Sequence, residues 1–282
     1  MIKLWELKAN GVARPLPVLA GESSLDELSR RLPQGLYSTF RTFGERTRVL
    51  DLRHHLDRLY RPAVGLTARP VVDETALCRV LADLLAAFPA PEARVRLSLS
   101  TEARREGAVF LAIEPLKPLA DEIYQKGVRA ITSRQERANP QLKSTAFITA
   151  SEQARKELAA AGAFEALMLH HGRILEGLTS NFYFVRGGVL GTAAQGILPG
   201  VTRRLVLRLA RLLGIPRSYR AMALEQLPAV DEAFITSSSR GIMPVVRIDG
   251  QRVGLGVPGP VTRLLMERYD VYVAQHAGSI AP

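Results

Sequence analysis

A single cysteine, Cys78, stands among 282 residues, so no intrachain disulfide can staple the fold. Long apolar runs are missing as well. No stretch approaches the roughly 20 residues that a membrane-spanning helix needs, and the opening "MIKLWELKANG" has no apolar segment of signal-peptide length. These absences lead to the expectation of a cytoplasmic chain with no membrane partner. The sequence also lacks blocks of consecutive basic residues with interleaved aromatics, although 38 lysines and arginines against 27 acids leave a net charge of +11. The arginines are scattered through periodic segments such as "TRRLVLRLARLLG", which reads as a solvated basic surface, so no nucleic-acid partner is expected. Four of the histidines come as adjacent pairs, His54 with His55 and His170 with His171. Neighbours in sequence point to different sides of a helix or strand, so no metal is assigned.

What is present is an ordinary globular composition, 47% apolar and 23% charged, in a chain long enough for a real core. "LYSTFRTF" and "RTRVLDL" flank the turn residues "GE", a hairpin signal, and "LRHHLDRLYRPA" then takes helical spacing. Residues 73–88, "DETALCRVLADLLAAF", open with acids and repeat apolar positions at helical spacing, and "ARVRLSLS" and "AVFLAIEPL" follow as strands. Prolines and polar residues in "AIEPLKPLADEIYQKG" break the pattern. This break predicts a small domain over 1–117, a linker over 118–126 and a large domain over 127–282. The second half begins with a strand, "VRAITS", and a helix, "ITASEQARKELAAAG", closed by Gly162. Strand pairs turn at "HG" and at "GG", a helix starts at "PGVTRRLVLRLARLLG", and "EAFITSSSRGIMPVVRIDGQRV" precedes a last helix, "PGPVTRLLMERYDVYVAQ". The fold class is α+β.

Three stretches carry candidate chemistry. In "ILPGVTRR", Pro199 and Gly200 bend the chain so that the N–H groups of Val201 and Thr202 lie in a helix's first turn, unpaired by helix geometry and suited to a phosphate. Lys143 in "NPQLKSTAF" stands between Leu142 and small residues, where partial burial would favour the neutral amine that attacks carbonyls. Glu176 in "RILEGLTSNFYFV" ends a strand before Gly177 and the hydroxyl and amide groups of "TSN", which can steady a carboxylate aimed into a site. Taken singly, each reads more readily as a bare helix start, a surface lysine and an exposed turn acid.

In their order and spacing these pieces resemble the class IV aminotransferases, the fold-type IV pyridoxal phosphate enzymes that include branched-chain aminotransferase, D-amino acid aminotransferase and aminodeoxychorismate lyase. The resemblance runs from Gly35 to Tyr269. "LRHHLDRL" looks like the family's helix with a phosphate-binding arginine, here Arg58. "LKS" matches the Schiff-base lysine, here Lys143, and "ILEGLTSNFYFV" matches the segment whose acid pairs with the cofactor's pyridine nitrogen, here Glu176. "ILPGVTR" matches the phosphate cup at Val201 and Thr202, and "AFITSSSRGIMPVVRIDG" resembles the strand and loop that complete it, here with Ser238 and Ser239. The resemblance implies a two-domain fold with pyridoxal 5'-phosphate in the interdomain cleft and a homodimer whose partner contributes to the site. It also implies that one lysine carries the α-proton between substrate and cofactor.

The sequence departs from the family pattern in places that bear on the substrate. The first 34 residues lack the family's usual opening, an Asn-Gly hairpin and a run into "GDGVFE". Ile148 stands where branched-chain enzymes place a tyrosine, and "SSSRGIMPV" is closer to the lyase-like members than to the "TGTA" loop of branched-chain enzymes. Tyr37, Arg41 and Arg96 on expected strands, and Arg240 on the loop after the cup, are candidates to hold a substrate, the arginines by clamping a carboxylate. The leading expectation is a transaminase that moves an amino group between an amino acid and a 2-oxo acid. Its alternatives are a lyase that releases pyruvate from an aminodeoxychorismate-like substrate and a basic nucleic-acid-binding protein on a degenerate enzyme scaffold. The intact Lys143 and Glu176 argue against degeneracy.

Overall fold

The computed structural model describes residues 1–61 and 68–281. In chain order its first elements are β1 (Lys3–Leu7), β2 (Ala13–Leu16), α1 (Leu25–Arg31), β3 (Gly35–Phe43), β4 (Arg48–Val49), α2 (Leu52–Tyr60), α3 (Glu74–Ala86), β5 (Ala93–Ser100) and β6 (Val109–Pro115). Next come α4 (Asp121–Lys126), β7 (Val128–Ser133), α5 (Ala146–Ala150), α6 (Glu152–Ala160), β8 (Glu165–His170), β9 (Arg173–Gly177), β10 (Asn181–Arg186) and β11 (Val189–Gly191). The chain closes with α7 (Val201–Leu212), β12 (Arg217–Ser218), β13 (Met222–Ala223), β14 (Glu232–Ser237), β15 (Gly241–Ile248), β16 (Gln251–Arg252), α8 (Pro260–His276) and β17 (Gly278–Ser279). Two compact units result, one formed by Met1–Lys117, Leu142–Ala150 and Val273–Pro282, the other by Pro118–Gln141 and Ser151–Tyr272.

In the first unit an antiparallel sheet runs in the order β17-β4-β3-β5-β6-β1-β2. Asp73 accepts a 2.8 Å hydrogen bond from the Ala76 amide and starts α3, whose Leu77, Leu81 and Leu85 fall on one face. That stripe packs with Phe40, Val95, Leu97 and Leu111 of the sheet in one apolar cluster.

The second unit's sheet runs in the order β12-β11-β10-β14-β15-β7-β8-β9-β13, and β9 pairs additionally with β10. The extra pairing closes β10, β14, β15, β7, β8 and β9 into a ring, and the closing pair is Glu176 opposite Asn181. His171 and Gly172 both have positive φ, as do Gly187 and Gly188. These are the dihedrals that two-residue hairpin turns require, which is why "HG" and "GG" were legible as turns. Along α7, Val201, Thr202, Leu205, Val206, Leu209 and Ala210 are buried in a helical stripe.

Several elements differ from expectation. An Asn-Gly hairpin does open the chain: β1 and β2 pair antiparallel around Asn10 and Gly11, closed by the Lys8 amide on the Val12 carbonyl at 2.9 Å. The strand expected across "RTRVLDL" shrinks to Arg48–Val49, because α2 begins at Leu52 directly after Asp51 in a left-handed conformation. Residues 62 and 63 of "LRHHLDRLYRPA" lie outside the described residues. The helix expected across "ITASEQARKELAAAG" breaks at Ser151, which leaves helical geometry at φ −91° and ψ 10°, and the two units part at that residue. Residues 121–126 of the expected linker form α4 within the second unit. The first unit also gathers segments 142–150 and 273–282, which a single cut through the sequence assigns to the other side.

Candidate active site

Glu176 lies at the ring-closing pair of the second unit, 1% exposed. One carboxylate oxygen accepts from the Arg137 Nε at 3.0 Å, an ion pair between two buried side chains. The other oxygen accepts from the Asn181 Nδ2 at 3.1 Å and from the Leu198 amide at 2.9 Å. Asn181 Nδ2 donates to the Leu198 carbonyl as well, at 2.9 Å. The acid is thus fixed to the segment that leads through Pro199 and Gly200 into α7. A Cβ on Gly200 would stand 2.1 Å from the Asn181 Oδ1, so a larger residue here would push the Asn181 amide out of its place beside Glu176.

At the start of α7 no side chain caps the helix, and the first amide to reach a carbonyl of its own turn is that of Arg204, on Gly200 at 3.1 Å. The preceding amides, of Val201 and Thr202 among them, receive no acceptor from the helix itself. Val201 and Thr202 are both buried. Ser238 and Ser239 occupy the turn between β14 and β15, half-buried, with Ser237 opposite Gly241 closing it. Arg240 ends that turn and is engaged inside the second unit. It donates to the Thr179 Oγ1 at 2.6 Å and the Ser237 Oγ at 3.0 Å, and stands 3.4 Å from the Glu165 carboxylate.

The other candidates belong to the first unit. Residues 143–145 lie along the start of β3: the Tyr37 amide donates to the Lys143 carbonyl at 2.8 Å, and the Gly35 amide donates to the Thr145 hydroxyl at 2.9 Å. The Lys143 ammonium stands 4.8 Å from the centroid of the buried Tyr37 ring, and the Arg96 guanidinium stands 4.6 Å from the same centroid. Arg96 is itself buried, with its donors directed to Asp26 at 2.8 Å, the Leu25 carbonyl at 2.9 Å, the Ser29 hydroxyl at 2.8 Å and the Thr39 hydroxyl at 3.0 Å. Arg41 is half-buried over the Phe43 ring, and Arg58 lies half-buried in the last turn of α2.

Neither Arg137 nor Glu165 is singled out by the sequence, whereas Asn181 supplies the amide that "TSN" offers to the Glu176 carboxylate. Arg137 stands in a polar stretch, "RQERANPQ", with nothing to set it apart from surface arginines. Glu165 did carry a signal, an acid at the head of the apolar strand "EALMLH", because an acid that begins a buried strand needs partners.

Two α+β units, one with a polar ring-closing pair beside an uncapped helix start, match a known class of enzyme fold. The profile of class IV amino-transferases matches residues 35–248. A Methanocaldococcus jannaschii protein provisionally named branched-chain-amino-acid aminotransferase is 32% identical over 238 residues, 78% of this chain and 81% of its own length. The D-alanine aminotransferase of Bacillus licheniformis is 28% identical over 252 residues, 85% of this chain and 87% of its own. Among solved structures, the branched-chain amino acid aminotransferase of T.th. with pyridoxamine 5'-phosphate aligns at a TM-score of 0.78 and 26% identity, over 97% of this chain and 94% of that one. A protein provisionally named 4-amino-4-deoxychorismate lyase aligns at 0.71 and 27%, over 91% and 96%. The chain belongs to the class IV aminotransferase family, and its fold is that of the fold-type IV enzymes. No helix among the described residues is long and apolar enough to cross a membrane.

Proposed function

We propose that this protein is a pyridoxal 5'-phosphate-dependent transaminase that moves an amino group between an amino acid and a 2-oxo acid. The observation that carries the reading is the buried Glu176 carboxylate, paired with Arg137 and bonded to the Leu198 amide that leads into the start of α7. The donor and acceptor chemistry of these residues fits the cofactor. Glu176 offers an anion to a protonated ring nitrogen, while Val201, Thr202, Ser238 and Ser239 offer amides and hydroxyls to a phosphate, with Arg58 adding positive charge. When bound, the pyridine ring supplies an electron sink for the substrate's α-carbon.

The chain's own residues divide the remaining work. Lys143 would provide the amine that holds the cofactor and, once displaced by the substrate's own amine, its free Nζ would carry the proton away from the substrate's α-carbon. Glu176 holds its charge in a fixed direction, because Asn181 and Leu198 occupy one carboxylate oxygen and Arg137 the other. Among the substrate-facing candidates, Tyr37 flanks the Lys143 ammonium and Arg41 offers a half-buried guanidinium to a carboxylate. Arg96 and Arg240 direct donors to other residues of the protein, which supports a structural part for both rather than this role. A homodimer, a cytoplasmic location and a two-domain division with the cofactor in the cleft accompany this reading as what the family implies.

The second reading, a lyase that releases pyruvate, is favoured by the "SSSRGIMPV" loop and by the likeness to a provisionally named lyase. A panel of L- and D-amino acids added to the cofactor-loaded protein separates the two. A transaminase loses its visible absorbance with at least one amino acid and regains it with a 2-oxo acid. If none of either hand changes the spectrum while an aminodeoxychorismate yields pyruvate, the lyase reading replaces this one.

A further inference from the structure

Glu165 begins β8 and is 1% exposed, yet it lies outside the chemistry assigned above. Its Oε2 accepts from the Thr179 hydroxyl at 2.6 Å, the Ser180 hydroxyl at 2.9 Å and the Thr179 amide at 3.3 Å, and its Oε1 accepts from the Ala166 amide at 3.1 Å. Arg240 approaches the same carboxylate at 3.4 Å and reaches the Thr179 Oγ1 at 2.6 Å. Thr179 therefore stands as a relay, donating to Glu165 and accepting from Arg240. The far side of Arg240 is equally fixed. Its guanidinium lies 5.1 Å from the Phe164 centroid, its Nε donates to Ser237, and its carbonyl accepts from the Tyr124 hydroxyl at 3.0 Å.

These bonds join two turns that are distant in sequence. Residues 178–180 connect Glu176 to its partner Asn181, and residues 238–240 carry Ser238 and Ser239. Little slack remains where the first turn meets Glu165: a Cβ on Gly177 would lie 2.3 Å from the Ser180 Oγ and 2.8 Å from the Glu165 Cγ. A buried carboxylate with this many donors repays its desolvation only while the whole set is in place, so losing one member loosens both turns.

We propose that Glu165 and Arg240 are a pair of positioning residues that set the Glu176 turn and the Ser238–Ser239 turn at a fixed separation, and so preorganise this unit's cofactor contacts. This rests on the reading above for the identity of the cofactor, though not for the coupling of the two turns. Preorganisation of this kind acts on binding, because the free protein then does not have to order its loops when the ligand arrives.

The experiment follows the full-length protein, first without cofactor, by hydrogen exchange at residues 178–181. Arg240→Met should speed exchange there by roughly tenfold, as loss of a charge-assisted hydrogen bond implies, and Arg240→Lys should restore part of the protection. Thr179→Val removes the relay hydroxyl without touching Arg240 and should have the same effect, which keeps the test alive if Arg240→Met fails to fold. Pyridoxal 5'-phosphate is then titrated into each variant. The dissociation constant should rise roughly ten- to hundredfold, with the amino acid KM at saturating cofactor unchanged. Unchanged exchange at 178–181 in both variants overturns the coupling. Unchanged cofactor affinity with a raised amino acid KM also overturns it, and makes Arg240 a substrate clamp. Wild-type protein that binds no pyridoxal 5'-phosphate sinks the functional reading alone, because the exchange result stands without cofactor.

Discussion

In the first unit, buried charges mostly meet other side chains. Glu6 of β1 is surrounded by Lys8, Arg14 and Arg105, and Arg96 of β5 pairs with Asp26 of α1. In the second unit the buried acids Glu165, Glu176 and Glu232 each accept backbone amides from a turn or a helix start: Thr179, Leu198, and Val261 with Thr262 at the head of α8. The difference lies in what is being held. Side-chain pairs tie together strands and helices whose own amides are already satisfied. A carboxylate that receives amides fixes irregular backbone, which would otherwise leave buried polar groups unpaired. A binding site assembled on loops needs the second device, and the second unit has it at the Thr179 turn after Glu176 and at Leu198 before α7.

Substitutions can break this contrast or sharpen it. The largest effect is expected at Lys143, the one proposed catalytic group in the first unit's segments. Lys143→Ala should lower turnover by roughly 10⁴-fold or more and abolish the visible absorbance of the loaded protein. Near wild-type turnover would remove Lys143 from the reaction. Glu176→Gln keeps the shape and removes the charge, so the rate of α-proton transfer in single turnover should fall by roughly a hundredfold with modest loss of cofactor. An unchanged rate would count against the role given to the second unit's acid.

The reverse pattern is expected for the first unit's buried arginine. Arg96→Met removes a buried guanidinium from Asp26 and Ser29 and should cost about 3 kcal/mol of stability in denaturant titration. That figure is at the lower end because Asp26, 24% exposed, remains favourably placed in the first turn of α1. At saturating substrate kcat should hold. A variant of full stability with a raised amino acid KM would return Arg96 to the substrate.

The smallest effect concerns Glu6. Burial pushes its carboxyl up, but Lys8, Arg14 and Arg105 outweigh that and hold it below its ordinary value of 4.5. A lowered native value stabilises the fold above the unfolded one, and the contribution disappears as pH falls through the native value. Glu6→Gln should therefore flatten the loss of stability below pH 4.5 and leave that at neutral pH reduced. A melting profile between pH 2 and 7, roughly the range in which carboxylates titrate, that is identical for both proteins would exclude the linkage.

The sequence by itself determined the elements with a strong local period or a specific turn: α3 through its acid cap and leucine stripe, α7 through its buried face, and the hairpins at His171–Gly172 and Gly187–Gly188. The order and spacing of "LKS", "ILEGLTSN" and "ILPGVTR" likewise pointed to the family, and the close approach of Gly200 to Asn181 shows one reason for a glycine there. The "ANG" turn was equally local and was overlooked, since the strands beside it are short. Tertiary structure alone decided which charges meet. Arg137 lies 39 residues from Glu176, Arg240 lies 75 from Glu165, and Arg96 pairs with Asp26 of a helix far upstream in the chain. It also decided that Ser151 ends one helix and precedes another in a different unit. Helical and strand periods are written into neighbouring residues, whereas the partner of a buried charge is chosen by whichever distant donor the folded chain brings within about 3 Å, and no local pattern encodes that choice.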